Sequence, residues 1–551
     1  MSLPKEFKHS YEFDPKYSKS VAYFSMEFAI DQALKTYSGG LGFLAGSHMR
    51  SAYDLNQNVI GISILWKYGY YDQIRKGDQS MDVLFQEKIY RFLEDTGIQF
   101  SITINNHPVV VKAYYLKPET FGAVPIFFLS TDLPENDYLA QSTTHKLYDS
   151  DPAAKIAQTI LLGVGGAKLL DELKANVDIY HLNEAHALSA AFYLYKKFKS
   201  VEEVKKRLVF TTHTPEEAGN EKHDIRLLDK MGFFCGTPME EVRKISGIKD
   251  DTFDHTVVAL RLSKIANGVS RKHGEVANEM WSKYEGICKI ISITNAQNKK
   301  YWADKELYKA AENNDFEYLK KRKCEMKGDL FNVVADQTGQ LFNNETLTIV
   351  WARRFAAYKR ADLLTYDEER FEKLLTNKKY PVQIIWAGKP YPMDYNAIST
   401  FNKLVHLSKK YDNIAVLVGY ELRLSRLLKD GSDIWLNTPR IPREASGTSG
   451  ITAAMNGSVN FSTYDGWIPE FARHGVNSFL VPPVDQKLPV HQQDQNDLQN
   501  LYEILEEEVL PTYYDNPEKW SEIMKNSMMD VIPYFDAARM AYQYYEKIYN
   551  F

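Results

Sequence analysis

The sequence predicts an α/β protein made of two Rossmann-like domains, and three observations carry that reading. At 551 residues the chain is too long for one ordinary core. Short apolar, β-rich runs alternate with longer helix-period segments almost throughout, the pattern of parallel sheets covered by helices. Polar clusters follow the ends of several predicted strands (HLNEAH, THTPEEAGN, ARRFAAYKR, AGKPYP), and ligands collect at strand C-termini in open α/β sheets.

In chain order, the first half supplies strands at Val21 to Phe24, Val59 to Leu65, Val177 to His181, Leu208 to Thr212 and Lys289 to Ile293. The second supplies Leu347 to Trp351, Val382 to Trp386, Ile414 to Val418, Ile434 to Leu436 and Phe479 to Val481. Each run is rich in Val, Ile, Phe or Trp, which suit a pleated, buried surface. Helix-period segments fall between them, among them Ala153 to Leu173 and Leu501 to Val509. A charged stretch with few strands, residues 296–340, marks the boundary. The expected division is an N-terminal domain over 1–295, a C-terminal domain over 296–531, and a helix over 532–551 placed to pack back on the first. Motifs from both halves are expected to converge on a cleft between them. No internal repeat or low-complexity tract interrupts this organisation.

Composition excludes several classes. Sixty-seven Lys and Arg against 72 Asp and Glu leave a net charge of −5, so nothing points to nucleic acid. Cys235, Cys288 and Cys324 are widely spaced, with no C-x-x-C and no even framework, which fits a reducing compartment. The N-terminus MSLPKEFKHS has no apolar signal core, and no stretch approaches the uninterrupted apolar length of a membrane span. A cytoplasmic location without membrane partners is the expectation.

Taken in order, the motifs each have a plain alternative. YSGGLG (Tyr37 to Gly42) precedes a predicted helix, LAGSHMRSAYDL, and its glycines either bring backbone N–H groups to an anion or make a tight turn. In GVGGAK (Gly163 to Lys168) the glycines interrupt an apolar helix pattern, which favours helix packing. HLNEAH (181–186) and TTHT (211–214) place histidines and Glu184 at neighbouring strand ends; their spacing does not match a metal motif, and no metal is expected. RRFAAYKR (353–360) puts four cations in eight residues directly after a strand, either an anion site or a solvated helix start. EASGTSG (444–450) is either a ligand-facing turn or a capped helix start. No G-x-S-x-G elbow and no kinase signature is present. These residues together imply a cleft for an anion and a polar ligand, and they do not name a reaction.

The ordered set of segments does. VAYFSMEFAI, YSGGLGFLAGSHMRSA, HLNEAHA, TTHTPEEAGN, NGVSRKHGEVANEMW, ITNAQNKKYW, ARRFAAYKRADLL, WAGKPYP, DIWLNTPRIPREASGTSG, NGS and YDGW run from residue 21 to residue 467. In that order they resemble the shorter bacterial and archaeal type of α-glucan (glycogen/starch) phosphorylase. The resemblance implies a GT-B glycosyltransferase architecture and retaining transfer of glucose between an α-1,4-glucan or maltooligosaccharide end and phosphate. Carried over by residue, Gly39, Gly40 and Gly42 match the loop near the cofactor phosphate, and Arg354 and Lys359 the phosphate-binding cations. His213 matches a histidine of the sugar pocket and Asn295 a glucose-contacting asparagine. Glu444, Ser446 and Gly447 match the segment holding glucose hydroxyls. Glu184 and His186 resemble residues of the acceptor side. The family is often oligomeric, which leaves a homo-oligomer open.

Two departures stand out. In EASGTSGITAAMNG the ninth residue is Thr452, where the family has the lysine that carries pyridoxal phosphate. A Schiff base needs an amine, so no covalently bound cofactor is expected there. Ala296 replaces the glycine of the family's I-T-N-G, and Gln297 and Asn298 diverge after it. Three readings follow. The chain is a retaining α-glucosyltransferase whose donor is a nucleotide sugar, or a phosphorylase forming glucose 1-phosphate with an altered cofactor site, or a catalytically silent glucan-binding protein.

Overall fold

The structure, a computed structural model, describes residues 6–551, so the first five residues of the N-terminal segment read above lie outside the description. The chain forms two compact units. One comprises the chain up to Tyr71, Phe85–Asn298 and Ala537–Phe551; the other comprises Asp72–Leu84 and Lys299–Asp536.

The first unit is built on a nine-stranded sheet. Its order is Lys289–Ser292, Ile265–Gly268, Leu208–Thr211, Ile179–Asn183, Val21–Phe24, Val59–Ile64, Ile126–Ser130, His107–Leu116, Glu94–Ile104. The first seven run parallel and the last two pair antiparallel. The central strands, such as Val59–Ile64 and Ile126–Ser130, are buried at every residue because helices cover both faces. Along the edge strand Glu94–Ile104 buried and exposed residues largely alternate, as expected where one face meets water.

Helix Gly40–Asp54 lies against the closing segment of the chain: Leu44, Ala45, Met49 and Ala52 share one core with Met540, Tyr544, Tyr545, Ile548 and Tyr549. The long apolar stretch Pro152–Glu172 satisfies the length and mean hydropathy of a membrane span, contrary to the sequence reading, but it is mostly buried inside this unit. Its glycines answer to packing: a Cβ on Gly163 would lie 2.2 Å from Ser189 Oγ, and one on Gly166 2.6 Å from Phe24 Cε1.

The second unit has a six-stranded, fully parallel sheet in the order Ile414–Leu417, Val382–Ala387, Leu347–Ala352, Ile434–Asn437, Val459–Thr463, Ser478–Val481. The hairpin Asp72–Arg75/Met81–Leu84 joins this unit, where Gln73 Nε2 donates to the Gly388 carbonyl at 3.0 Å. Gly388 itself has φ 147°, and a Cβ there would sit 1.9 Å from the Arg353 carbonyl oxygen, so the loop after Val382–Ala387 can approach only as glycine.

Candidate active site

In the first unit the groups singled out by sequence stand at strand ends. Glu184 follows Ile179–Asn183 with φ 66°, an uncommon conformation for a non-glycine residue. Its Oε1 accepts hydrogen bonds from the His213 backbone N–H and from Thr214 Oγ1 (3.1 Å), both after the next strand, Leu208–Thr211. Burial raises the Glu184 carboxyl to about 7, against the pull of those hydrogen bonds. The imidazole of His213 pairs through Nε2 with Asn183 Oδ1 at 2.7 Å; burial, with His273 and His186 nearby, lowers it to about 3. His213 is therefore neutral and Nε2–H donates to Asn183, whose Nδ2 in turn donates to Ser25 Oγ.

His186 Nδ1 and Asn295 Oδ1 are buried atoms with no hydrogen-bond partner. The divergent residues after Asn295 serve structure instead. Gln297 Oε1 accepts from Ser47 Oγ at 2.6 Å, and Asn298 Nδ2 donates to Ser51 Oγ and Asp54 Oδ2, pinning the loop to helix Gly40–Asp54.

The glycine loop holds a residue the motif reading passed over. Glu27, in SMEF, is 2 % exposed, and its carboxylate accepts from Ser38 N (2.6 Å), Gly39 N (3.2 Å), Ser38 Oγ and Tyr148 OH. Burial raises its pKa while these donors lower it, leaving a net rise. Part of the loop's N–H capacity is thus spent on an internal carboxylate. A Cβ on Gly42 would lie 2.7 Å from Glu27 Oε2, whereas Cβ atoms on Gly39 or Gly40 would meet nothing within 4 Å. An acidic residue inside the apolar run VAYFSMEFAI was the sequence signal for Glu27.

In the second unit a charge cluster gathers around Glu444. Lys359 Nζ lies 2.9 Å and Arg353 Nη1 3.4 Å from Glu444 Oε2. Burial works against the charge on Glu444, but Lys359, Arg353 and Arg354 outweigh it and hold the carboxyl below its usual range. Burial lowers Lys359 to about 8, with Glu444 opposing the drop and Arg353 and Arg354 adding to it. Arg353 is 6 % exposed and its Nε and Nη1 lack hydrogen-bond acceptors, although Nη1 stays near Glu444. Arg354, the cation assigned by resemblance, is exposed and bonds the Tyr358 side chain. Arg360, the fourth cation of that run, is structural: it is buried against Asp494 (2.9 Å), Asp497 (2.7 Å) and the Thr438 carbonyl.

The loop bearing Glu444 is fixed from YDGW. Asp465 Oδ2 accepts from Glu444 N at 2.8 Å, and Trp467 N donates to the Ser446 carbonyl. Gly447 takes φ 85° as the residue before helix Thr448–Ala454, and the buried Ser446 Oγ has no partner. Thr452, in that helix, is 1 % exposed and its hydroxyl donates to the Ser449 carbonyl at 3.0 Å. It carries no amine, so an aldehyde cofactor anchored at 452 does not fit this chain. Among the described residues no group of three or more His, Cys, Asp and Glu side chains is placed to hold a metal ion.

Two α/β units with parallel sheets carry buried acids and cations at strand ends with unmet polar atoms beside them, where ligands collect in such folds. Comparison with known proteins supplies the family. A model of the carbohydrate phosphorylase family matches residues 246–478. The chain is 48 % identical to an uncharacterized protein of Methanocaldococcus jannaschii, over 97 % of this chain and all of that one. It is 32 % identical to the maltodextrin phosphorylase of Thermococcus litoralis, covering 97 % of this chain and 71 % of the relative. It is 29 % identical to the glycogen phosphorylase of Aquifex aeolicus, covering 98 % and 88 %. The chain belongs to the carbohydrate phosphorylase family, a family of glycosyltransferases.

Proposed function

We propose that this protein is a retaining, GT-B-type glucosyltransferase that moves glucosyl units between an α-1,4-glucan end and phosphate, the phosphorylase reaction. The observation that carries the reading is the Arg353–Lys359–Glu444 cluster, in which two cations meet one carboxylate and two buried guanidinium N–H groups await an acceptor. In this reading Arg353, Lys359 and Arg354 of the second unit bind phosphate, and Glu444, Ser446 and Gly447 of that unit hold glucose hydroxyls. In the first unit the backbone of Gly39, Gly40 and Gly42 is a phosphate-binding loop and Asn295 a glucose-binding residue. Neutral His213 sits at the sugar, and Glu184 and His186 bind the acceptor chain. An oxyanion leaving group is stabilised by cations already in place, without reorganisation at the moment of reaction.

Position 452 favours a second reading on one specific ground: a nucleotide-sugar donor brings its own diphosphate and needs no lysine there. The test is a paired assay on the purified chain. Glucose 1-phosphate release from maltooligosaccharide and phosphate, with and without added pyridoxal phosphate, is expected to be positive. Glucan extension from ADP-, UDP- or GDP-glucose without any phosphorolysis would replace the first reading with the second. Glucan binding without turnover of any donor would refute both.

A further inference from the structure

A groove of about 1260 Å³ lies wholly within the first unit, and none of the candidate site residues lines it. Its walls come from helices Ser189–Phe198, Met239–Ser246 and His255–Leu262, from the ribbon Lys222–Asp224/Thr252–Asp254 and from the loop after helix Arg271–Trp281. Seven of the lining side chains are Lys or Arg and four are Asp or Glu. The whole chain carries a net charge of −5, so this excess of cations is local and opposes the overall balance. On a concave surface, charges of one sign reinforce each other's field and concentrate counter-ions.

A lone exposed lysine is ordinarily just solvated, so what decides is which of these charges are already matched. Lys222 pairs with Asp254 at 3.4 Å, and Lys283 with Glu217, which does not line the groove, at 2.6 Å. Glu241 accepts from Tyr195 OH at 2.5 Å and Asp250 Oδ1 from Thr252 N at 3.1 Å, and neither acid pairs with a lining cation. Lys199, Lys205, Lys244 and Lys249 make no ion pair and no side-chain hydrogen bond among the described residues. Arg261 is fixed but not neutralised. Its Nη1 donates to the Ser246 carbonyl at 2.9 Å, at the end of helix Met239–Ser246, and its Nε to the Glu285 carbonyl at 3.1 Å. A cation suits that end of a helix. The next residue, Gly247, has φ 70°, and a Cβ there would lie 3.0 Å from Arg261 Nη1, so glycine makes room for the guanidinium. Both acceptors are neutral carbonyls, which leaves the arginine its full charge.

We propose that this groove is a binding site for a triphosphate chain, free or carried on a nucleoside. The four unmatched lysines and Arg261 call for an extended anion, since a single phosphate would leave most of them without a partner. Lysine serves phosphate as a movable point charge, and Arg261 adds a guanidinium already held in place. Tyr284 also lines the groove, half-buried, with its ring centroid 5.7 Å from that of Trp281. Its ring is the face on which the base of a nucleoside triphosphate would stack. Binding is non-covalent, and nothing in this site depends on the reaction proposed above.

The test uses the full chain, with tripolyphosphate, ATP and inorganic phosphate as probes. Lysine acylation read by mass spectrometry locates binding, and titration calorimetry measures it. Tripolyphosphate is expected to protect Lys199, Lys205, Lys244 and Lys249 and to spare Lys196, an exposed lysine of helix Ser189–Phe198 that does not line the groove. Lys244→Gln and Lys249→Gln should each weaken binding by roughly two- to fivefold, the loss of one solvent-exposed charge contact. Lys196→Gln should leave it unchanged. Both lysines are exposed, so neither substitution threatens the fold. Equal affinity for tripolyphosphate and ATP supports recognition of the phosphate chain alone; tighter binding of ATP with the same lysines protected supports a nucleoside triphosphate. Protection confined to Lys359, or no protection in the groove by either probe, overturns the site. Equal weakening by Lys196→Gln and Lys244→Gln overturns it too, as diffuse charge attraction. Inorganic phosphate that protects the same lysines as well as tripolyphosphate does overturns the choice of ligand.

Discussion

The Lys359 ammonium lies 2.9 Å from Glu444 Oε2, with each side chain 11 % exposed, so each sets the other's charge. Without Glu444, burial and two neighbouring guanidinium groups would push Lys359 below about 8; without the cations, burial would push Glu444 upward. With Arg353 at 3.4 Å the cluster keeps one positive charge in excess. It is therefore poised for an anion and not self-neutralised.

Glu444→Gln should lower kcat/KM for glucose 1-phosphate formation by roughly ten- to a hundredfold, the equivalent of one hydrogen bond to a charged group at about 1.5–3 kcal/mol. Measured on the acid side of the Lys359 titration, where the lysine stays charged, KM for phosphate should not rise, because the substitution leaves the cations unopposed. Steady-state kinetics on folded variant protein checks both. Unchanged kcat/KM would remove Glu444 from the reaction.

Lys359 is charged below about pH 8 and neutral above it. Phosphate binding should weaken as pH rises through that value. Lys359→Arg, whose guanidinium stays charged, should move this alkaline limb upward even if affinity falls from altered geometry. Phosphate KM measured from neutral to alkaline pH decides it; a variant with the wild-type limb would show that another group controls binding.

The three loop glycines should separate under alanine substitution. At Gly42 a Cβ collides with Glu27 Oε2 and Tyr37 Cβ at 2.7 Å, so Gly42→Ala should cost about 1–3 kcal/mol of stability as overpacking. At Gly39 and Gly40 a Cβ meets open space, so the fold should tolerate alanine while phosphate affinity drops if the loop backbone approaches a ligand. Denaturant melts and phosphate KM on the three variants check the split. A destabilised Gly39→Ala with normal kinetics would make the loop purely structural.

What the sequence made legible follows from periodicity. Fully buried parallel strands such as Val21–Phe24 and Leu208–Thr211 announce themselves as short β-branched and aromatic runs, and the structure places them within a residue of the expected ends. The ribbon Glu94–Ile104/His107–Leu116 was missed because its alternating, half-exposed pattern is interrupted by Gly97 and by a register shift between Asp95 and Gln99. The hairpin at Asp72–Leu84 joins the second unit from the first half of the chain, and no linear pattern encodes that exchange. In the site, the cation run was visible, but only burial distinguishes Arg353 against Glu444 from exposed Arg354 and structural Arg360. Glu27 was passed over for the opposite reason: a lone acid in an apolar run is a signal without a motif, and its meaning lies in the donors of a loop eleven residues on.

Glu184 gives the sharpest pH test. Its carboxyl titrates near 7 in the folded chain, above the ordinary value of 4.5. Between about pH 4.5 and 7 the folded state therefore binds more protons than the unfolded one, and linkage requires stability to fall as pH rises through that window. The contribution is fully present below about 4.5 and is lost above about 7, with a slope of at most about 1.4 kcal/mol per pH unit. Glu184→Gln removes the titration, while its amide oxygen still accepts from the His213 N–H and Thr214. The variant should thus gain stability relative to wild type as pH is raised across the window. Its glucan KM should lose any pH dependence near 7 that wild type shows. Melting temperatures and KM compared at acid, neutral and mildly alkaline pH give the result. A stability difference that stays constant with pH would place the Glu184 titration elsewhere and detach it from acceptor binding.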